Sequence, residues 1–192
     1  AYVSVEAGAT VTGDQVWPAN GSNEGMHHLL LAYGGPGRTL VTFDPTYSMY
    51  PEYCRDTFTS FHSVPRAKDF TVGKSQIDAA LSVSPDIIVL CSPNNPTGTI
   101  ADPAAIDYLV TSFDGLVIID EAYAEFAGWT AIGLRDEYPD LVVIRTMSKA
   151  YGLAGIRVGF AVARPEVIAR VAREHRLHSA RVGVLGVHDG PG

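Results

Sequence analysis

Leu141-Val142-Val143-Ile144-Arg145-Thr146-Met147-Ser148-Lys149-Ala150-Tyr151-Gly152-Leu153-Ala154-Gly155-Ile156-Arg157 joins a strand-length apolar run to small hydroxyl residues, a lysine, glycines and an arginine. Such a stretch reads as a buried strand that delivers a polar loop at its end. The pattern recurs along the chain. Short apolar runs at 16–19, 40–43, 87–91, 116–119, 141–144 and 158–162 alternate with helical candidates at 23–33, 47–57, 76–81, 103–113 and 165–174. A further short strand is expected at 58–64. This alternation predicts an α/β fold, a sheet with helices on both faces. The runs at 87–91 and 116–119 are apolar throughout, as strands covered on both sides are. Pro45, Pro51, Pro65, Pro93, Pro96, Pro103 and Pro165 fall at element ends or early helix positions, where a missing N–H is tolerated. Residues 175–192 show no clear period and receive no firm structure.

A chain of 192 residues fits one domain with a sizeable core. With 46% apolar and 18% charged residues it reads as globular. The net charge of −7 argues against a nucleic-acid partner, and the basic residues are scattered apart from Arg170, Arg173, Arg176 and Arg181. Cys91 ends an apolar run and reads as a small core residue; Cys54 is the other cysteine. No basic-then-apolar leader opens the chain and no apolar run approaches membrane-spanning length, so a cytoplasmic protein without a membrane partner is expected. Ala1 in place of Met is compatible with a processed or partial chain.

Polar motifs stand just after five of the runs. They are Asn20-Gly21-Ser22, Asp44-Pro45-Thr46-Tyr47, Ser92-Pro93-Asn94-Asn95-Pro96-Thr97-Gly98, Asp120-Glu121-Ala122-Tyr123 and the segment from Thr146 to Lys149. Ligands of open α/β sheets sit outside the carboxyl ends of the strands, so five such motifs can converge on one crevice. Each has a bland reading. Most lysines are solvated, but Lys149 sits in an uncharged, small-residue stretch behind a buried strand. Asp120 reads as a cap or an Asx turn, Asn95 as a turn former and Tyr47 as a half-buried aromatic at a helix start. Ser22, Asn23 and Glu24 open a helix, whose free N–H groups also make a phosphate site. A strand followed by Asp-Glu also occurs in ATPases, but the phosphate loop this requires has Lys68 where its first glycine belongs, ahead of Gly73-Lys74-Ser75. His27 and His28 are adjacent on a helix and point apart, and His175 and His178 lack a third ligand, so no metal is expected.

The segment around Lys149 resembles the lysine-attachment signature of class-II aminotransferases, enzymes dependent on pyridoxal 5'-phosphate (PLP). The wording Pro45-Thr46-Tyr47-Ser48-Met49-Tyr50, Asp120-Glu121-Ala122-Tyr123-Ala124-Glu125-Phe126 and Lys149-Ala150-Tyr151-Gly152-Leu153-Ala154-Gly155-Ile156-Arg157 is most similar to the histidinol-phosphate branch. The likeness runs from about Val16 to Glu174. It implies a fold-type-I large domain over residues 1–174, incomplete at its N-terminus, with a mostly parallel sheet and an antiparallel strand at 158–162. Residues 175–192 would be an unmatched tail, with the family's small C-terminal domain absent. The resemblance implies Lys149 as the Schiff-base residue and proton carrier, and Asp120 as partner of the ring nitrogen. Asn95 and Tyr123 would bond the phenolic oxygen, and Tyr47, in preference to Tyr50 one helical turn on, would stack on the ring. Ser22, Asn23, Thr146, Ser148 and Arg157 would hold the phosphate. The reaction implied moves an amino group between L-histidinol phosphate and 2-oxoglutarate, giving imidazole-acetol phosphate and L-glutamate, in a homodimer. A threonine-phosphate decarboxylase, another amino-acid aminotransferase, or a shortened fragment that binds PLP without turnover stay open as alternatives.

Overall fold

The chain is seen in a computed structural model that describes residues 2–8 and 10–185. Seven strands form one sheet: β1 (Val16–Ala19), β2 (Thr39–Asp44), β3 (Ser60–Pro65), β4 (Ile87–Cys91), β5 (Leu116–Asp120), β6 (Leu141–Thr146) and β7 (Gly159–Val162). Their order is β1-β7-β6-β5-β4-β2-β3. All neighbours pair in parallel except β7, which runs antiparallel to both β6 and β1. The α/β class, the mostly parallel sheet and the reversed strand after the lysine are as the sequence predicted.

Among the described residues six α-helices accompany the sheet: α1 (Tyr2–Ala7), α2 (Ser22–Tyr33), α3 (Tyr50–Asp56), α4 (Lys74–Leu81), α5 (Pro103–Ser112) and α6 (Pro165–Leu185). The pleat sends successive strand residues to opposite faces. Val89 and Cys91, Ile118, and Val142 and Ile144 meet Leu29 and Leu30 of α2, Tyr53 and Cys54 of α3, and Val167 and Val171 of α6. Ile88, Leu90, Val117, Ile119 and Val143 meet Ile77 of α4 and Ile106 and Leu109 of α5. Each fully buried aliphatic contributes about 1.5–3 kcal/mol, which is why both strand faces must be apolar between their ends.

The short helix α1 is not among the elements expected from the sequence, α4 starts two residues early at Lys74, and two boundaries differ by more. A helix from Tyr47 would put Pro51 in its interior, where a missing N–H and the ring are costly. The helix instead starts at Tyr50 with Pro51 in its first turn, leaving Tyr47 in the preceding loop. At the other end α6 continues to Leu185, past the 174 boundary read from the sequence. The aliphatic period stops at Val171, but His175, one turn on, packs its ring on Trp17 and His28 at centroid distances of 5.5 and 4.5 Å. Aromatic packing carries the inward face beyond the point where apolar residues mark it. Residues 186–192 of the tail lie outside the described residues.

Two glycines fix the β1–α2 turn. Gly21 takes a φ of +94°. Gly159 opens β7 so near this turn that a Cβ there would lie 2.4 Å from the Ser22 nitrogen. Only glycine lets β7 pass under the start of α2.

A buried ion pair ties β6 to the loop after β5. Arg145 Nε donates to Glu121 Oε2 at 2.8 Å, and both side chains are 3% exposed. Glu121 also accepts from the Ala131 N–H at 2.6 Å and the Thr130 hydroxyl at 2.7 Å. Burial pushes the Glu121 carboxyl above its usual range, while Arg145 and these two donors pull it back. Arg145 Nη1 also lies 3.3 Å from Glu125 Oε1, so removing the arginine alone strands two carboxylates, of which Glu121 is the more deeply buried. Arg145→Met is therefore expected to lower unfolding free energy by about 3–5 kcal/mol in urea denaturation, with Arg145→Met/Glu121→Gln recovering part of it, since Glu125 still lacks its arginine. Equal loss in the single and double variants would show that the pair is not coupled.

Candidate active site

The carboxyl ends of β2, β4, β5 and β6 and the start of α2 surround a cleft of about 560 Å³ including its solvent-facing mouth. The ten residues singled out from the sequence all line it, together with Cys91 and Ala122. That volume lies within the ordinary range for small-molecule sites, about 300–1,000 Å³.

Asp120 forms the floor. It ends β5 on the same face as Ile118 and is 6% exposed. Its Oδ2 accepts from the Tyr50 hydroxyl at 2.8 Å and its Oδ1 from the Ala122 N–H at 3.1 Å. Burial raises the carboxyl above the usual range; the Tyr50 hydroxyl, the Ala122 N–H and Lys149 oppose that rise. Cys91 sits opposite on β4, in register with Asp120. Burial pushes its thiol up to about 12, so it stays neutral beside the acid. Burial and the adjacent acid likewise lift the Tyr50 phenol well above its ordinary value, so Tyr50 acts as a donor.

Lys149 follows β6 on an exposed turn, with Nζ 5.4 Å from the centroid of the Tyr123 ring. Asn95 and Tyr123 stand half-buried on the loops after β4 and β5. Tyr47 is half-buried on the loop after β2, its hydroxyl 3.3 Å from Asn23 Oδ1 and its ring edge-on to Tyr50 at 5.7 Å.

At one end of the cleft lies an anion-binding corner. The N-cap of α2 is Gly21, which has no side chain to cap the first turn. Glu24 instead reaches back to the Asn20 N–H at 2.6 Å, a bond that holds its carboxyl below the usual range. Ser22 and Asn23 therefore present the helix N-terminus to the cleft. Arg157 in left-handed conformation brings its guanidinium to the Asn20 carbonyl at 3.3 Å, and a Cβ on Gly21 would lie 2.7 Å from Nη2. Thr146 accepts from the Ser148 N–H at 3.2 Å, so both hydroxyl residues face the same corner. One end of the cleft thus suits a phosphate, the floor suits a cationic ring nitrogen, and Lys149 supplies a primary amine.

Sequence reasoning weighed Tyr50 only as a ring-stacking residue. The structure gives it another task, donation to Asp120 on the α3 face of the sheet. The signal was weak: one tyrosine at a helix start looks like another. Among the described residues no group of His, Cys, Asp and Glu is arranged to hold a metal ion, and no helix is long and apolar enough to cross a membrane. His28 is instead engaged by Trp17, whose indole N–H donates to Nδ1 at 3.1 Å.

The chain is 44% identical over 172 residues to histidinol-phosphate aminotransferase 3 of Burkholderia lata, covering 88% of this chain and 46% of that protein. It is 46% identical over 176 residues to the histidinol-phosphate aminotransferase of Corynebacterium efficiens, again covering 88% and 46%. It therefore spans about half the length of the curated relatives it matches. In fold it is similar to the histidinol-phosphate aminotransferase from Clostridium acetobutylicum, with a TM-score of 0.78, 21% identity, and 89% and 51% of the two chains covered. The family model for aminotransferase class I and II matches residues 2–179, a span wider at both ends than the motifs alone marked. With that match over most of its length, the chain belongs to the aminotransferase class I and II family.

Proposed function

We propose that this chain is the large, PLP-binding part of an aminotransferase that moves the amino group of L-histidinol phosphate to 2-oxoglutarate. The observation that carries the reading is the placement of Asp120, Lys149 and the α2 N-terminus with Arg157 on one cleft. The names of the relatives support the substrate. By the same reading the large domain spans residues 1–174, the working form is a cytoplasmic homodimer, and its partners are a small amino donor and keto acceptor.

The residues present fit PLP. Its phosphate matches the uncapped α2 N-terminus, the hydroxyls of Ser22, Thr146 and Ser148, and the Arg157 guanidinium. Its ring nitrogen matches a buried carboxylate that the Tyr50 hydroxyl and the Ala122 N–H already hold in place. When bound, PLP supplies an electron sink for the carbon that carries the amino group. Lys149 Nζ would supply the amine that anchors the cofactor and the base that moves a proton at that carbon. Asp120 would keep a proton on the ring nitrogen. Asn95 and Tyr123 would donate to the phenolic oxygen, and Tyr47 would cover one ring face and exclude water from it.

Three outcomes follow from these roles. Borohydride reduction of the PLP-treated chain should fix the cofactor on the peptide containing Lys149, and Lys149→Ala should show no such adduct by mass spectrometry. An adduct persisting in the variant would move the attachment elsewhere. L-Histidinol phosphate should shift the absorption band of the bound cofactor; no shift with it or with L-glutamate would favour a binding fragment without turnover. The pH dependence of PLP affinity tests Asp120. Burial raises its folded pKa and the Tyr50 hydroxyl lowers it, so PLP affinity should fall as pH drops through that value. Tyr50→Phe should move this fall to higher pH, and Asp120→Asn should remove it. A Tyr50→Phe profile that overlays the parent's would detach the hydroxyl from the acid's titration.

A further inference from the structure

Next to the cavity-lining Asn95 stands Asn94, which is 2% exposed and which no part of the proposed reaction uses. A primary amide has two N–H donors and two acceptor sites on its oxygen. Asn94 fills all four. Oδ1 accepts from the Thr46 hydroxyl at 2.9 Å and from Arg66 Nη2 at 2.8 Å. Nδ2 donates to the Pro45 carbonyl at 3.0 Å and to the Thr97 hydroxyl at 2.8 Å. Its backbone closes its own loop, with the Asn94 N–H on the Thr99 carbonyl at 2.8 Å and the Gly98 N–H on the Asn94 carbonyl at 2.7 Å.

The sheet explains why such a bridge is needed. The β2–β4 ladder pairs only Leu40 with Ile87 and Val41 with Ile88. Beyond it β2 continues to Asp44 on β3, and β4 continues to Cys91 on β5. The next link between the two strands is a side chain, the Thr42 hydroxyl on the Val89 carbonyl at 3.0 Å. Past that point Asn94, with Arg66 anchored on the Phe43 carbonyl at 2.9 Å, ties the two loops together. One loop carries Tyr47 and the other carries Asn95.

We infer that Asn94 is a positioning residue: it replaces the missing ladder between β2 and β4 and sets Tyr47 and Asn95 at a fixed separation across the cleft. Its consequence for PLP rests on the function proposed above; the coupling between the loops does not. The cofactor-free chain tests the coupling by amide hydrogen exchange. Thr46→Val keeps the shape and removes one bond from the β2 side, yet it should speed exchange of the Gly98 and Asn94 amides, in the other loop, about fivefold. Asn94→Ala should do so more strongly, and Thr46→Val serves if that variant does not fold. Both should weaken PLP binding, Thr46→Val about fivefold, and alter the induced circular dichroism of the bound cofactor, which a general loss of stability does not do while the chain stays folded. Unchanged Gly98 exchange in Thr46→Val overturns the clamp whether or not PLP binds. Failure of the parent chain to bind PLP, with the exchange effect present, overturns the proposed function and leaves the clamp standing.

Discussion

A sheet covered on both faces leaves its strands one place to present charge, their ends. Between the strand ends the buried positions are apolar except Thr42, whose hydroxyl is spent on the Val89 carbonyl, because an unpaired polar group there costs more than an aliphatic contributes. β5 shows the consequence most sharply: Leu116 to Ile119 are buried and apolar, and two acids follow at once. The pleat sends them apart. Asp120 turns toward the α3 side, where a tyrosine hydroxyl and a backbone N–H meet it. Glu121 turns toward the α5 side, where Arg145 meets it. Neighbouring carboxylates so near the sheet are tolerable because each has its own partners on its own face.

The second constraint is the reversal at β7. A lysine and an arginine eight residues apart in sequence would ordinarily drift apart along a parallel crossover. Here the segment between them makes a short 3₁₀ turn and comes back antiparallel, so Arg157 lands beside the β1–α2 turn while Lys149 stays at the end of β6. The close pass of Gly159 under Ser22 makes the return possible. Topology thus turns one contiguous motif into two walls of a single cleft.

Much of this was readable from the chain. Six of the seven strands announced themselves as apolar runs between turn formers, and the motifs behind them gave the residues that line the cleft. What stayed hidden has physical reasons. The start of α3 is set by Pro51, whose effect outweighs the helical pattern that includes Tyr47. The length of α6 depends on His175 stacking against Trp17 and His28, a contact between residues far apart in sequence. Tyr50 differs from Tyr47 only in where α3 points it. Arg145 stands just past the apolar run at 141–144, and only its partner on the neighbouring loop shows that it is buried.

These cases share a form. Polar residues at the strand ends come in adjacent pairs, Asn94 with Asn95, Asp120 with Glu121, Arg145 with Thr146, and in each pair one member lines the cleft while the other is buried and bonded away from it. For the two strand pairs the period of two makes this division unavoidable; for the asparagines the turn does the same. The cleft-lining member can hold its position only because its neighbour consumes the local bonding capacity that would otherwise pull the loop into other arrangements. Chemistry at such a site is therefore specified in doublets. A change at the hidden member is thus expected to displace the visible one without touching any ligand, because backbone continuity transmits the shift across a single peptide unit.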